Sequence, residues 1–149
     1  MTITGGCLCG QVRWTATAEP FVTRACWCRL CQSIGAGSGT VNAGFPSEAV
    51  TVEGETRDFA AVADSGNVMH RLFCPSCGVH LFSQAEVRRH QLFIRVGTFD
   101  DPNLTRPEMT IWTAQAPTWA CIDETIPSQP GQPAPAALAQ PDGGKPYLT

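Results

Sequence analysis

Seven of the eight cysteines fall in three tight clusters, and this spacing constrains the chain more than any other feature. The clusters are Cys7-Leu8-Cys9, Cys26-Trp27-Cys28-Arg29-Leu30-Cys31 and Cys74-Pro75-Ser76-Cys77. At Cys-x-Cys and Cys-x-x-Cys spacing, one tight turn presents two thiolates to a single ion. A tetrahedral zinc takes four ligands, with thiolates about 2.3 Å from the metal. Gly10 and Gly78 directly follow two of the pairs, where glycine relieves crowding as the backbone turns around a metal. Seven thiols do not divide into two closed four-ligand sites. Two pairs complete one site, and the triplet leaves a second with an open position. Structural zinc sites are closed and catalytic ones keep a position open. The arithmetic therefore suggests two zinc ions per chain, one structural and one reactive. Cys7/Cys9 with Cys74/Cys77 is the natural pairing, since each is a simple two-ligand turn. It ties the first strand to a late hairpin and adds folding free energy on metal binding. Other readings of the triplet remain. Cys121, His70, His80 or His90 closes it as a fourth ligand, or the clusters share a single zinc and leave some thiols free or disulfide-bonded. Iron–sulfur ligation fits the cysteine count but lacks a clustered four-cysteine run of ferredoxin type.

Metal ligation is the expected use of cysteines in a reducing compartment. Met1 to Cys7 shows neither a basic start nor an apolar stretch of signal-peptide type, so a cytoplasmic location is expected. No apolar run reaches about 18 residues, so no membrane span is expected. The formal net charge of −3 gives no counterion-release term, which argues against nucleic acid as a partner. A hydrophobic content of 43% is too high for a disordered chain. The 149 residues suit one domain.

The apolar pattern has mostly a period of two, and 14 glycines with 12 prolines favour turns over long helices. The expected fold is mainly β, a compact single domain of short antiparallel sheets held by zinc knuckles. Strands are predicted over 11–17, 49–52, 67–73, 79–83, 91–99 and 109–114. The two strands flanking Cys74 to Gly78 read as a hairpin. Residues 30–33 and 83–89 look locally helical, and Gly35 to Gly39 reads as a loop. Prolines 127, 130, 133, 135, 141 and 146 mark a change of composition. The domain is therefore expected over residues 1–124, with 125–149 as a proline-rich tail lying on it or trailing from it.

A three-thiolate zinc with an open position binds an exogenous thiol, lowers its pKa and holds it as a thiolate nucleophile. Three thiolates donate much charge to the metal, which favours thiol activation over water activation. At this point the motifs resemble a known family. Gly6 to Trp14 resembles the opening of the glutathione-dependent formaldehyde-activating enzyme family, which also contains centromere protein V. Cys26-x-Cys28-x-x-Cys31 followed by Gly35 to Gly39 resembles its second motif, and Phe73 to Gly78 its third. Pro117-Thr118-Trp119 resembles its ending. The resemblance spans about residues 3–127. It implies a β-tent-like fold, a structural zinc on Cys7, Cys9, Cys74 and Cys77, and a catalytic zinc on Cys26, Cys28 and Cys31. It also implies the joining of glutathione, or another small thiol, to formaldehyde or a related small carbonyl substrate, a carbon–sulfur lyase reaction in reverse. Trp27 stands where the family often has histidine or a small residue.

Glutathione carries two carboxylates, which arginine forks would suit. Arg24, Arg29, Arg71 and Arg95 are candidates, with Arg29 inside the triplet loop placed first; the plain alternative is solvated surface charge. His80 is a candidate for proton transfer, or else a histidine packed on a strand. Cys121 reads as a small buried apolar residue, and Trp112 and Trp119 as core or tail-packing residues. The alternative function is a non-catalytic zinc-stabilised binding module with a protein partner. An oligomer is compatible with all of this.

Overall fold

The computed structural model describes residues 1–134. Ten strands and one short helix follow in chain order: β1 (Ile3–Gly6), β2 (Arg13–Ala16), β3 (Val22–Cys26), α1 (Arg29–Ile34), β4 (Thr40–Pro46), β5 (Val50–Glu53), β6 (Arg57–Val62), β7 (Val68–Phe73), β8 (His80–Ala85), β9 (Gln91–Arg95) and β10 (Met109–Ile111). The protein is thus mainly β, as the alternating pattern requires. A small sheet runs β1-β2-β5, and a large one runs β10-β3-β4-β9-β8-β7-β6. Every pairing is antiparallel except β3 with β10, which is parallel.

The core lies between the two sheets. In β2 the buried Trp14 and Ala16 alternate with Arg13 and Thr15. Trp14 meets Phe99 edge-on with ring centroids 4.8 Å apart, and Phe45 stands 6.5 Å away. The indole Nε1 donates to Thr98 Oγ1 at 3.2 Å, and that hydroxyl donates to the Arg95 carbonyl at 2.8 Å. A buried indole N–H is thereby satisfied. Gly5 lies against this ring. A Cβ there would stand 2.2 Å from the Thr98 carbonyl oxygen and 2.4 Å from the Trp14 ring, so only glycine fits.

The large sheet packs one face on the core and lines a cavity with part of the other, and this positions the site. In β9, Leu92 and Ile94 enter the core, while Gln91, Phe93 and Arg95 line a cavity on the opposite face. In β7, Leu72 enters the core and Met69 and Arg71 line the cavity. Pairing register then sets Arg24, Asn42 and Arg95 in one row across β3, β4 and β9. A second row holds Arg71, Ser83 and Phe93 across β7, β8 and β9.

Four strands, β1, β3, β4 and β6, lie outside the predicted segments. Glycine and threonine interrupt the apolar alternation in β1 and β4, and β6 is an edge strand that is largely exposed. The locally helical reading of 83–89 is corrected: β8 continues to Ala85, and only a single 3₁₀ turn follows at Glu86–Arg88. Cross-strand pairing with β7 outweighs the helix propensity there. The predicted strand 91–99 ends at Arg95 and gives way to a 3₁₀ turn, Val96–Thr98. After Thr125 the chain returns beside β10. The Thr110 N–H donates to the Pro127 carbonyl, and the Gln129 N–H to the Thr110 carbonyl, each at 2.9 Å. Residues 135–149 of the expected tail lie outside the described residues. No helix among the described residues is long and apolar enough to cross a membrane.

Gly5→Ala is expected to destabilise the fold by about 1–3 kcal/mol, because the new methyl has no room. Gly97→Ala, where a Cβ meets nothing within 4 Å, is the matched control. Thermal unfolding of the two variants measures the difference.

Candidate metal centre

Two groups of cysteine sulfurs converge, each with all its sulfurs within 4.8 Å of one another. The first is Cys7, Cys9, Cys74 and Cys77. Cys7 and Cys9 sit in the turn between β1 and β2, and Cys74 and Cys77 in the turn between β7 and β8. Both turns close on backbone bonds. The Cys7 N–H donates to the Val12 carbonyl at 2.9 Å, and the Cys74 N–H to the Val79 carbonyl at 3.0 Å. Gly10 and Gly78 both take positive φ, +79° and +75°, which explains the glycine after each pair. The group thus joins the small sheet to the large one.

A zinc tetrahedron with thiolates at about 2.3 Å places its sulfurs about 3.8 Å apart. Cys7 and Cys9 sulfurs lie 3.5 Å apart, and Cys9 and Cys74 sulfurs 3.7 Å apart, which fits. The Val12 N–H donates to Cys7 Sγ at 3.3 Å. A backbone hydrogen bond from Val79 draws the Cys77 thiol down to about 6, against the burial that pushes it up. Outer-shell donors of this kind favour the thiolate form that a metal needs.

The second group is Cys26, Cys28 and Cys31, on the other side of the large sheet. Cys26 ends β3. Cys28 caps α1, where its sulfur accepts the Cys31 N–H at 3.4 Å. Cys31 lies one turn into the helix. Among the described residues no fourth ligand joins them: His70, His80, His90 and Cys121 all lie outside the group. The reading of a closed four-ligand site is therefore set aside. The thiols of Cys26 and Cys28 hydrogen-bond to Cys31 and lower its pKa, with help from the positive charge of Arg95. Hydrogen bonds with Cys28 and Cys31, together with burial, raise Cys26.

The three sulfurs open into a cavity of about 250 Å³ walled by β3, β4, β7, β8 and β9. Arg24, Arg29, Arg71, Arg88 and Arg95 line it, against a single carboxylate, Asp64. Arg29 stands exposed at the rim; its guanidinium bonds Gln32 Oε1, and its backbone N–H donates to Gln115 Oε1 at 2.8 Å. Arg71 and Arg95 are only 5% and 8% exposed. Arg29 lines the cavity from its exposed edge, whereas Arg71 and Arg95 line it from within the sheet. Arg88 lines it as well and lies next to no motif in the sequence. Strand parity is the signal that points to the buried pair: each alternates with a core residue, Leu72 or Ile94.

Trp27 turns away from this cavity. Its indole is buried and packs on Gly39, and it lines a separate cleft with Ala25 and Cys121. His80 stacks near Phe73, with ring centroids 5.4 Å apart, and burial keeps its pKa low. His70 pairs with Asp58. One expectation is corrected: Cys121 is exposed rather than buried. Of the two readings for Trp119, the core one is excluded, since the residue is 67% exposed. Neither lies in a strand whose alternation would carry it inward.

Fold and sites together define a mainly β protein with one closed and one open cysteine cluster, both able to hold metal. The glutathione-dependent formaldehyde-activating enzyme family matches residues 2–115, and the chain belongs to that family. A crystal structure of a Rhodobacter sphaeroides protein shares the fold with a TM-score of 0.51 at 20% identity, over 65% of this chain and 87% of that one. No curated protein matches the chain.

Cys74→Ser opens the cluster that joins the sheets. It is expected to lower Tm by about 10 °C or more, whereas Cys28→Ser is expected to shift it by only a few degrees. Thermal melts with metal analysis of both variants check this contrast.

Proposed function

We propose that the protein adds a small thiol, glutathione by family membership, reversibly to formaldehyde or a related small carbonyl compound. In reverse it acts as a carbon–sulfur lyase. The observation that carries this reading is the open cluster: three cysteine sulfurs at the floor of a cavity, with no fourth protein ligand among the described residues. Zinc bound there supplies a free position and the charge that keeps an incoming thiol as thiolate at neutral pH.

The protein's own groups do the remaining work. Cys26, Cys28 and Cys31 hold the ion, and α1 with the end of β3 fixes their spacing. The cavity walls keep thiol and carbonyl carbon together and limit water. Arg29 at the rim contacts a carboxylate of the thiol substrate. In the addition a sulfur–carbon bond forms, the carbonyl π pair moves to oxygen, and the proton lost by the thiol ends on that oxygen. Cys7, Cys9, Cys74 and Cys77 hold a second, structural zinc. All eight cysteines are unpaired by disulfides, which suits a reducing compartment such as the cytoplasm. Residues 1–124 form the working domain.

Cys28→Ser is expected to lose one of two zinc equivalents and all glutathione-dependent consumption of formaldehyde, with an unchanged far-UV spectrum. Full activity in that variant would overturn the assignment. Arg29→Gln is expected to raise the KM for glutathione about tenfold with little change in kcat, measured by steady-state kinetics.

A further inference from the structure

The cavity holds more positive charge than formaldehyde chemistry uses. Arg71 and Arg95 are both more than nine-tenths buried and both face it. Arg71 Nη1 and Arg95 Nε have no hydrogen-bond partner, and neither does Nε of the half-buried Arg24. None of the ion pairs Arg13–Asp100, His70–Asp58 and Arg89–Glu86 includes these three arginines. Asp58 acts on Arg71 only through space, its carboxylate being bonded to His70 and to the Arg71 backbone N–H. Asp64, the one acid lining the cavity, accepts instead from Gln115 Nε2 at 3.1 Å. Arg95 does bond Asn42 Oδ1, its cross-strand partner, and this fixes one edge of its guanidinium. Its Nε is left over.

Buried guanidiniums without counter-charge are costly, and two side by side repel. The triplet answers part of this, because a zinc ion on three thiolates carries one net negative charge and a bound substrate thiolate adds a second. Together these balance two of the three guanidiniums. Formaldehyde is uncharged, so the third charge and the unpartnered N–H groups of Arg71 and Arg95 are still unmet. A carboxylate meets them, since its two oxygens match the planar donor fork of arginine.

We propose that Arg71 and Arg95 form a carboxylate-binding site beside the cysteine triplet, so that one of the two reacting substrates is an acid whose carboxylate lies close to its sulfur or its carbonyl carbon. This rests on the thiol-addition reading for the reaction, though not for the anion site itself. The acid is either a mercaptocarboxylate or an oxo acid; the shared chemistry is the carboxylate. Both arginines anchor it from the floor of the sheet, whereas Arg29 stands outside at the rim.

The test uses the zinc-loaded full chain and calorimetry. Mercaptoacetate is compared with 2-mercaptoethanol, a neutral thiol of similar length, and glyoxylate with formaldehyde, each carbonyl supplied with 2-mercaptoethanol. A carboxylate preference of about 10- to 100-fold is expected in one arm. A preference in the first arm places the carboxylate on the thiol; in the second, on the carbonyl compound. Arg71→Gln and Arg95→Gln are each expected to abolish it. In Arg71→Gln zinc content and affinity for 2-mercaptoethanol stay within about twofold, and Arg95→Gln, whose lost charge also supports the Cys31 thiolate, is compared at equal zinc content. Arg71→Lys keeps the charge without the fork, guards against a folding defect, and is expected to retain part of the preference. No preference in either arm, a preference that survives both substitutions, or an equal loss of neutral-thiol binding overturns the proposal. If neither thiol binds, the thiol-addition reading falls. Glyoxylate binding without thiol then decides the anion site: lost in Arg71→Gln, it upholds the proposal; absent from the unaltered protein, it overturns it.

Discussion

Alternation along the central strands of the large sheet governs both halves of this molecule. Leu72 and Ile94 enter the core, and their sequence neighbours Arg71 and Arg95 enter the cavity. A slip of one residue would exchange the two sets, burying guanidiniums among Trp14, Phe45 and Phe99. Register is therefore held hard from the core side, and the cavity inherits its geometry from core packing. A polar site obtained this way is rigid without needing many bonds of its own.

The two cysteine clusters use the same ligand chemistry in opposite settings. Cys7, Cys9, Cys74 and Cys77 come from two turns on different sheets and meet at the edge of the core, where Cys7 and Cys74 are buried among its side chains. Their closure completes the packing. Cys26, Cys28 and Cys31 come from one strand end and one helical turn and need no distant partner to assemble. They face space rather than core. Cross-linking distant segments suits stability, whereas a local cluster over a cavity leaves a position for chemistry.

Much of the fold was legible, because β2, β5 and β9 carry period-two patterning and the Cys74–Gly78 turn marks β7 and β8 as a hairpin. β3 and β4 were not, since both of their faces are covered and polar residues there serve the cavity rather than solvent. Thr23 in β3 and Asn42 in β4 are polar yet buried, which breaks the apolar pattern there. The cysteine ligands were legible one by one, because chelate spacing is a local property. The arginine floor was not, since Arg24, Arg71 and Arg95 stand far apart in sequence and carry no motif between them.

The sequence by itself therefore determined the class of fold, the number of thiols and their division into a four and a three, since alternation and short-range chelation are read within a few residues. Tertiary structure alone decided which side of the sheet each cluster serves, that no fourth ligand reaches the triplet among the described residues, and that Trp27 turns away while Arg71 and Arg95 turn in. These depend on cross-strand register and on what lies on each face of a sheet, which only long-range pairing establishes.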